Sequence, residues 1–256
     1  MLPPLKQNQI NVFLSQVGNH VDEQLNDLYL SYLSSSELKK YHSFHFNKDR
    51  KLYLLAHSML KYVLSKHINK PIENIVFKRN RYGKPSLRNH SNIKFNLSHS
   101  NKAVALVVSH NLEQELGIDI ECQDRGGELL NLASHFFSKH EAALLLNKTK
   151  EKQVEKFFKL WTLKEAYIKA IGEGLSIDLD SFSFNFLNRN ILINHYKKQE
   201  KTKRWDFFNT QAFKNYQLSI AVRNNEIDAQ TPVIKTFKLI PNISCKDISL
   251  NFNQSV

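Results

Sequence analysis

Three acidic side chains in this sequence have the types and spacing of a divalent metal site. Asp119 and Glu121 lie two residues apart in the segment GIDIE, and Glu165 lies in the segment KLWTLKEAYIKA. Residues i and i+2 of a β-strand point to the same face, so Asp119 and Glu121 are expected to share one. Neighbouring carboxylates repel each other, and a hard divalent cation relieves that repulsion. With Glu165 as a third oxygen donor, the set has the composition of an Mg²⁺ site.

Each of these acids also has an ordinary structural explanation. Asp119 and Glu121 can lie in water at an exposed sheet edge, which is the commoner outcome for an isolated Asp-x-Glu pair. Residues at helical spacing form an apolar line between positions 154 and 168 of a predicted helix, and Glu165 interrupts this line. It can sit at the edge of that line and pair with Lys169 one turn later. Both alternatives stay open at the level of sequence.

The segment FNLSHS places Ser98 next to His99 and suggests, at first, a nucleophile with its base. Adjacent strand residues point to opposite faces, so the two side chains are badly placed to bond each other. The sequence also lacks a Gly-x-Ser-x-Gly nucleophile elbow. We therefore reject a hydrolase triad and interpret Ser98 and His99 as phosphate-binding residues, with a half-buried structural histidine as the alternative for His99.

The composition is that of a folded globular protein with a polyanionic partner. Of 256 residues 41% are hydrophobic, and 36 Lys and Arg against 24 Asp and Glu give a net charge of +12. This charge favours nucleic acid, an anionic membrane surface, a phosphorylated cofactor or an acidic protein as partner. Only two cysteines occur, Cys122 and Cys245, which favours a reducing, cytoplasmic setting. No secretion signal and no transmembrane helix are expected.

The elements that must position these residues follow a similar order twice along the chain. Ser-x-x-Glu capping boxes are predicted at 34–37 and 138–141, before helices over 49–67 and 140–146. A longer helix is predicted over 151–171, followed by Gly172 as its C-terminal glycine. The predicted strands are KFNLS, AVALVVS and LGIDIE in one antiparallel sheet, and then SFSFNF, RWDFF, YQLSIAV and VIKTFKL.

Five segments occur in a specific order: YGKP (82–85), FNLSHS (95–100), GIDIE (117–121), FFSKHE (136–141) and WTLKEAYIKAIGEGLS (161–176). In this combination the sequence resembles the 4′-phosphopantetheinyl transferase superfamily, most closely its long, surfactin-synthetase-activating type. The resemblance implies an α+β fold, a pseudo-dimer of two similar α+β halves with coenzyme A in the cleft between them. We expect the halves at 1–116 and 117–225, with the metal site in the second, and an extension of unknown role at 226–256.

The function implied by the resemblance is an Mg²⁺-dependent transferase reaction. The 4′-phosphopantetheine arm of coenzyme A passes to a serine of an apo acyl or peptidyl carrier protein, which releases adenosine 3′,5′-bisphosphate. The resemblance also implies a monomer that acts in the cytoplasm and has neither nucleic acid nor a membrane as partner. The competing hypothesis is a non-catalytic basic module that binds nucleic acid, which requires exposed aromatic residues among basic ones. The aromatic residues of the long helix fall in its apolar stripe instead.

The resemblance also implies roles for individual residues. Asp119, Glu121 and Glu165 correspond to the magnesium-binding acids, and Glu165 also acts as, or orients, the base that takes the serine proton. Lys164 and Lys169 correspond to the catalytic lysines around the pyrophosphate. The implied coenzyme A contacts are Ser98 and His99 at a phosphate, Gly83, Lys84 and Pro85 beside the adenine, and Lys40 and Arg50 at the 3′-phosphate.

Two positions depart from the family pattern. Asn101 stands where a glycine often follows Ser-His-Ser, so the geometry of that turn is expected to differ. Lys61 stands where the first long helix commonly carries arginine, so a phosphate or structural contact at this position is expected to be weaker.

Overall fold

The computed structural model describes residues 2–18, 23–110, 115–124, 128–146, 148–187, 190–195, 204–224 and 230–254. The chain divides into two compact units, each assembled from separate parts of the sequence. Unit 1 consists of Met1–Arg79, Pro85–Leu112 and Pro232–Ser249, and unit 2 consists of Asn80–Lys84, Glu113–Thr231 and Leu250–Val256. Each unit combines α-helices with a sheet, which confirms the predicted α+β fold class.

The helices and strands of the described residues follow in chain order. They are β1 (Gln9–Gln16), α1 (Glu23–Ser31), α2 (Ser35–Ser43), α3 (Asn47–Ile68), β2 (Phe77–Arg79), β3 (Pro85–Leu87), β4 (Ile93–Ser100), β5 (Ala103–His110), β6 (Glu115–Cys122), α4 (Leu129–Phe136), α5 (Lys139–Leu146), α6 (Lys150–Ile171), β7 (Phe182–Leu187), β8 (Asn190–His195), β9 (Arg204–Gln211), β10 (Tyr216–Asn224), β11 (Val233–Ile240), β12 (Ser244–Ile248) and β13 (Asn253–Gln254). The predicted helices over 49–67, 140–146 and 151–171 are confirmed as α3, α5 and α6.

Unit 1 is built on a five-stranded sheet in the order β12-β11-β1-β5-β4. Strand β1 pairs antiparallel with β5 and parallel with β11, while β2 and β3 form a separate ribbon. The apolar side of α3, which includes the fully buried Met59, Val63 and Leu64, packs on β4 and β5. The predicted capping box is confirmed before α2, where the Glu37 carboxylate accepts a 2.7 Å hydrogen bond from the Ser34 amide.

Unit 2 is built on a four-stranded sheet in the order β13-β9-β10-β6, with β7 and β8 as a separate ribbon. Helix α6 packs across β6 and β10. The second capping box is also confirmed, because the Ser138 amide donates to Glu141 Oε2 at 3.0 Å and the Glu141 amide donates to Ser138 Oγ at 3.2 Å. Helix α6 ends at Gly172, whose φ of +79° is the left-handed conformation that glycine adopts without steric cost.

The two units repeat one run of elements. The run β1-α1-α2-α3-β2-β3-β4-β5 has the same order as β6-α4-α5-α6-β7-β8-β9-β10. In each run the first strand pairs antiparallel with the last, a 22-residue helix follows two shorter helices, and a two-stranded ribbon follows that helix. The prediction of two similar halves is therefore confirmed. The expected location of the coenzyme A site stays a prediction.

The structure corrects three details of the predicted organisation. Strand β6, which carries GIDIE, pairs with β10 and not with the sheet of β4 and β5. The boundary predicted between 116 and 117 falls inside β6 and lies at 112–113 instead. Residues 226–256 do not form an extension, because β11 and β12 join the sheet of unit 1 and β13 pairs with β9 in unit 2. Residues 226–229 and 255–256 of that predicted extension lie outside the described residues.

Asn101 forms the turn between β4 and β5 with a φ of 53°. This is the left-handed conformation that a glycine would supply and that asparagine tolerates better than most residues. Asn101 therefore adopts a backbone conformation that is also open to glycine, and the expected difference in the geometry of the turn stays a prediction.

Within the described part of the chain, no helix is long and apolar enough to cross a membrane.

Candidate active site

Strand β6 and helix α6 approach each other most closely at Gly117. A Cβ at this position would collide with the carbonyl oxygen of Ala166 and lie 2.5 Å from the amide nitrogen of Ala170. Only glycine lets the two backbones come this close. Because strand residues alternate, Asp119 and Glu121 lie on the same face as Gly117 and point toward the α6 side of the sheet. The predicted common face for the two acids is thus confirmed.

Glu165 of α6 lies near enough to both strand acids to interact with them by charge. Burial raises the pKa of the Glu165 carboxyl, and the negative charge of Asp119 raises this pKa further. The Lys169 ammonium lowers the pKa of Glu165, and the charge of Glu121 raises it. The structure therefore brings Asp119, Glu121 and Glu165 together within unit 2, as a site in which like charges act on one another.

The described residues contain no group of three or more His, Cys, Asp and Glu side chains that could hold a metal ion as they stand. Lys169 Nζ lies 2.5 Å from Asp119 Oδ1, and this carboxylate is 2% exposed. An ammonium thus supplies positive charge beside the acids. The donor set still fits Mg²⁺, because three carboxylates that repel one another are oxygen ligands whose repulsion a hard cation relieves.

A buried polar network fixes α6 on the sheet beside the acids. Ser219 pairs in register with Asp119 across β10 and β6. The Ser219 hydroxyl lies 2.7 Å from Thr162 Oγ1 of α6 and accepts a 2.7 Å hydrogen bond from Asn209 Nδ2. The Gln217 side-chain amide donates to Asn209 Oδ1 at 2.9 Å. These buried polar groups are satisfied by one another, which favours a single arrangement of helix and strands.

The structure corrects the prediction for Lys164. Its side chain is fully buried, and its Nζ donates to the backbone oxygens of Leu179 and Phe182 at 2.7 Å and lies 2.8 Å from Glu141 Oε2. Successive residues on a helix point about 100° apart, so Lys164 does not share the direction of Glu165. The Lys164 ammonium therefore has structural partners in place of the expected pyrophosphate.

Gly83, Lys84 and Pro85 form the end of a turn that leads into β3. Gly83 has a φ of +92°, and the Asn80 side chain accepts a 2.9 Å hydrogen bond from the Lys84 amide. The Lys84 side chain lies along α6 and β6, where its Nζ donates to the carbonyl oxygen of Ala170 at 2.6 Å. The predicted adenine contact of this segment stays a prediction, but the Lys84 ammonium is engaged elsewhere.

The remaining predicted residues lie in unit 1. On β4, Ser98 is buried and His99 is exposed, so the two side chains point to opposite faces as expected. Lys40 and Arg50 both contact Phe44: the Lys40 ammonium lies 5.1 Å from the ring centroid, and Arg50 Nε donates to the backbone oxygen at 2.9 Å. Two of the cations expected at a 3′-phosphate are therefore neighbours.

Lys61, the other departure from the family pattern, makes a structural contact. Its Nζ donates to the Tyr32 backbone oxygen at 2.8 Å and lies 2.6 Å from Glu37 Oε2, with the side chain 5% exposed. Lysine thus fills this position with two short contacts, and the expectation that such a contact is weaker than with arginine stays a prediction.

Sequence reasoning missed three residues that shape the site. Gly117 was not singled out within GIDIE, although an isolated glycine inside a strand indicates a close backbone approach. Glu141 was predicted as a cap, but not as the partner of Lys164. Asn80 precedes the YGKP segment, and its amide group donates to the Gly172 backbone oxygen at 2.8 Å. An asparagine two residues before such a turn is a usable signal.

Family models match two consecutive parts of the chain. Residues 21–111 match a model described as 4′-phosphopantetheinyl transferase, N-terminal, and residues 115–221 match a model of the 4′-phosphopantetheinyl transferase superfamily. The division between the two matches coincides with the boundary between the repeated runs of elements.

Named relatives match over most of their length. The 4′-phosphopantetheinyl transferase gsp of Aneurinibacillus migulanus is 33% identical over 211 residues, 82% of this chain and 84% of that protein. The 4′-phosphopantetheinyl transferase Sfp of Bacillus subtilis is 34% identical over 163 residues, 64% of this chain and 70% of that protein. An L-aminoadipate-semialdehyde dehydrogenase-phosphopantetheinyl transferase of Mus musculus is 28% identical over 209 residues, 75% of this chain and 67% of that protein.

Proposed function

Since the chain belongs to the 4′-phosphopantetheinyl transferase superfamily, we propose that Asp119, Glu121 and Glu165 are the ligands of its magnesium ion. The chain transfers the 4′-phosphopantetheine arm of coenzyme A to a serine of an apo carrier protein. The products are the holo carrier and adenosine 3′,5′-bisphosphate. The observation that carries the site is the close approach of β6 to α6 at Gly117, on the strand face that also carries Asp119 and Glu121. The charges of these two acids, which raise the pKa of Glu165, support it.

The reaction forms one phosphorus–oxygen bond and breaks another. The serine hydroxyl oxygen of the carrier attacks the β-phosphorus of coenzyme A, the serine proton is removed, and the bisphosphate leaves with the bonding electrons. The metal ion, when bound, neutralises negative charge on the phosphate oxygens. The residues of this chain must hold the serine oxygen in line with the bond that breaks. They must also hold charged groups in position for the negative charge on the phosphate oxygens.

Glu165 is suited to take the serine proton. Without the metal ion, burial and the charge of Asp119 raise the pKa of this carboxyl, which makes it a stronger base than an exposed glutamate in that state. Lys169 lies within reach of Asp119 and supplies positive charge for the phosphate oxygens. The burial of Lys164 argues against the catalytic role expected for it, so Lys169 alone is proposed as the catalytic lysine.

The expected coenzyme A contacts in unit 1 remain part of this proposal. Ser98 and His99 would bind a phosphate, and the neighbourhood of Lys40 and Arg50 at Phe44 supports a site for the 3′-phosphate. In the YGKP turn, we propose that backbone groups of Gly83, Lys84 and Pro85 lie beside the adenine. The side-chain contacts of Ser98, His99, Lys40 and Arg50 each predict a higher KM for coenzyme A when the side chain is removed, with kcat less affected.

The test is the mass of an apo carrier protein incubated with coenzyme A, Mg²⁺ and the purified enzyme. Asp119→Asn and Glu165→Gln should each lower the rate of phosphopantetheine transfer about 100-fold or more, by comparison with the loss of other preorganised charged groups. Glu151→Gln is the matched control, because Glu151 is an exposed acid on the same helix. Unchanged transfer by folded Asp119→Asn or Glu165→Gln would overturn the site.

The same assay decides between transfer and nucleic-acid binding. A carrier that gains no mass under any condition, together with DNA binding that weakens steeply with salt, would support the basic binding module. We also propose that the enzyme acts in the cytoplasm and that it is a monomer. The repeat of one fold within a single chain supports the monomer. Sedimentation at several protein concentrations tests the monomer, and a concentration-dependent mass would contradict it.

A further inference from the structure

We propose that Lys84 is a positioning residue that clamps helix α6 to strand β6 and so sets the spacing of the three acids. The inference rests on the proposed function, because it concerns the same acids. It assigns the Lys84 ammonium a role distinct from the adenine contact implied by its sequence segment. The argument depends on contacts within unit 2.

The Lys84 ammonium reaches both elements that carry the acids. Nζ donates to the Ala170 carbonyl oxygen at 2.6 Å, near the C-terminal end of α6. It also donates to the Leu116 carbonyl oxygen at 3.3 Å and to Glu115 Oε2 at 3.4 Å, at the start of β6. The side chain is 19% exposed, so these contacts are shielded from bulk water. One charged group thus fastens a helix to a strand.

The helix end favours a cation at this place. The last carbonyl groups of a helix lack partners within the helix, and the C-terminal end carries a partial negative charge. Lys84 satisfies one of these carbonyls. Gly172 leaves the space for it, because a Cβ at position 172 would lie 2.6 Å from Lys84 Cδ. Gly172 is therefore required both for the end of α6 and for the passage of the Lys84 side chain.

Asn80 caps the same helix end without joining it to the strand. Its side-chain amide donates to the Gly172 carbonyl oxygen at 2.8 Å. Its side-chain oxygen accepts from the amides of Tyr82 and Lys84, within its own turn. Among the described contacts, Asn80 thus stabilises α6 and the turn, whereas Lys84 also holds β6. This difference separates capping from clamping by experiment.

The acids need such a clamp because they repel one another. Asp119 and Glu121 lie on the strand face that approaches α6 at Gly117, and Glu165 lies on α6, so the carboxylates of strand and helix repel one another when ionised. Repulsion of this kind tends to move α6 away from β6 when no metal ion is bound. Lys84 fastens β6 at Glu115 and Leu116, directly before the close approach at Gly117. The helix and strand are thereby held together beside the acids.

The experiment measures binding of Mn²⁺, a paramagnetic substitute for Mg²⁺, by electron paramagnetic resonance without coenzyme A. Lys84→Met should raise the Kd for Mn²⁺ about tenfold or more, as is typical for loss of a group that orients metal ligands. Asn80→Ala should lower the melting temperature but leave the Kd for Mn²⁺ within about twofold of the wild-type value. This change is small beside the effect expected for Lys84→Met. The Kd for coenzyme A, measured by calorimetry without metal, tests the alternative that the Lys84 side chain contacts the nucleotide.

Each outcome distinguishes the two proposals. If Asp119→Asn binds Mn²⁺ as the wild type does, the proposed function of the acids fails. If Asp119→Asn loses Mn²⁺ while Lys84→Met retains it, only the clamp is wrong. Equal weakening by Lys84→Met and Asn80→Ala reduces Lys84 to a helix cap, and weaker coenzyme A binding by Lys84→Met identifies it as a nucleotide contact. Both of these results overturn the clamp.

A second variant keeps the test decisive should Lys84→Met fail to fold, as judged by circular dichroism. Glu115→Gln removes the carboxylate that β6 presents to the Lys84 ammonium while leaving the lysine at the helix end. An increase in the Kd for Mn²⁺ is expected, smaller than for Lys84→Met. An unchanged Kd in folded Glu115→Gln overturns the proposal.

Discussion

Lys164 Nζ lies 2.8 Å from Glu141 Oε2, and both side chains are fully buried. Unit 1 contains the same arrangement, with Lys61 Nζ 2.6 Å from Glu37 Oε2. Each glutamate closes a capping box, and each lysine stands fourteen residues after the first residue of a 22-residue helix. The ion pair thus belongs to the frame that the two halves share.

Breaking the buried ion pair between Lys164 and Glu141 is expected to destabilise the folded protein. Lys164→Met leaves Glu141 buried without its cation, so the free energy of unfolding should fall by about 3 to 5 kcal/mol, measured by chemical denaturation. Adding Glu141→Gln should recover part of this loss, because no unpaired charge remains and the side-chain oxygen can still accept from the Ser138 amide. Lys152→Met, at an exposed position on the same helix, is the control. Loss of transfer without loss of stability would return Lys164 to the phosphate site.

Glu165→Gln is expected to stabilise the metal-free enzyme while it abolishes transfer. The folded-state pKa of Glu165 is raised above its usual 4.5, so the folded chain binds this proton more readily than the unfolded chain. Ionised Glu165 therefore costs stability at neutral pH, and that stability returns as pH falls through the folded-state pKa. Thermal denaturation with a chelator should show a higher melting temperature for Glu165→Gln than for the wild type at pH 7. A lower melting temperature would contradict this.

His67 is expected to make the fold sensitive to acid. Burial lowers its pKa from 6.5 to about 4, and its Nε2 lacks a hydrogen-bond partner among the described residues. Between these values the unfolded chain binds a proton that the folded chain does not, so stability falls as pH falls. The loss between pH 6.5 and 4 should be about 3 kcal/mol, at about 1.4 kcal/mol per pKa unit. His67→Phe should flatten this slope in denaturant titrations, whereas exposed His45→Gln should not.

Gly117→Ala is expected to separate strand β6 from helix α6. The new methyl group would collide with the Ala166 carbonyl oxygen, which is backbone and cannot move independently of the helix. We expect a loss of about 3 kcal/mol or more in the free energy of unfolding, with transfer abolished. Gly174→Ala provides the comparison, since its Cβ would meet no atom within 4 Å and only its φ of +58° is strained. Equal effects of the two substitutions would refute the close approach.

Local signals predicted the local structure around the site. Both capping boxes, the long helices and the common face of Asp119 and Glu121 followed from spacing, because each depends on residues a few positions apart. The association of Glu165 with the two strand acids was inferred from its place in an apolar helical line and from the family resemblance.

The errors came from contacts between residues far apart in sequence. The motif that carries Lys164 is compatible with a phosphate contact, and nothing near it in sequence reveals that Glu141 lies opposite. VIKTFKL was recognised as a strand, but its partner β1 could not be, since strand pairing is set by packing over long separations. Gly172 both ends α6 and leaves space for the Lys84 side chain. The second role likewise becomes visible only from the position of Lys84 in the structure.

The parallel pairing of Gln9 with Val233 has a consequence for synthesis of the chain. Strand β1 leaves the ribosome early, but one of its two neighbours in the sheet is made only after nearly all of unit 2 has emerged. Strand β1 therefore gains this neighbour only after β11 has been made, and its edge stays open to other chains in the meantime. Until then, β1 offers unpaired backbone N–H and C=O groups along one edge, which is the feature by which strands of separate chains pair.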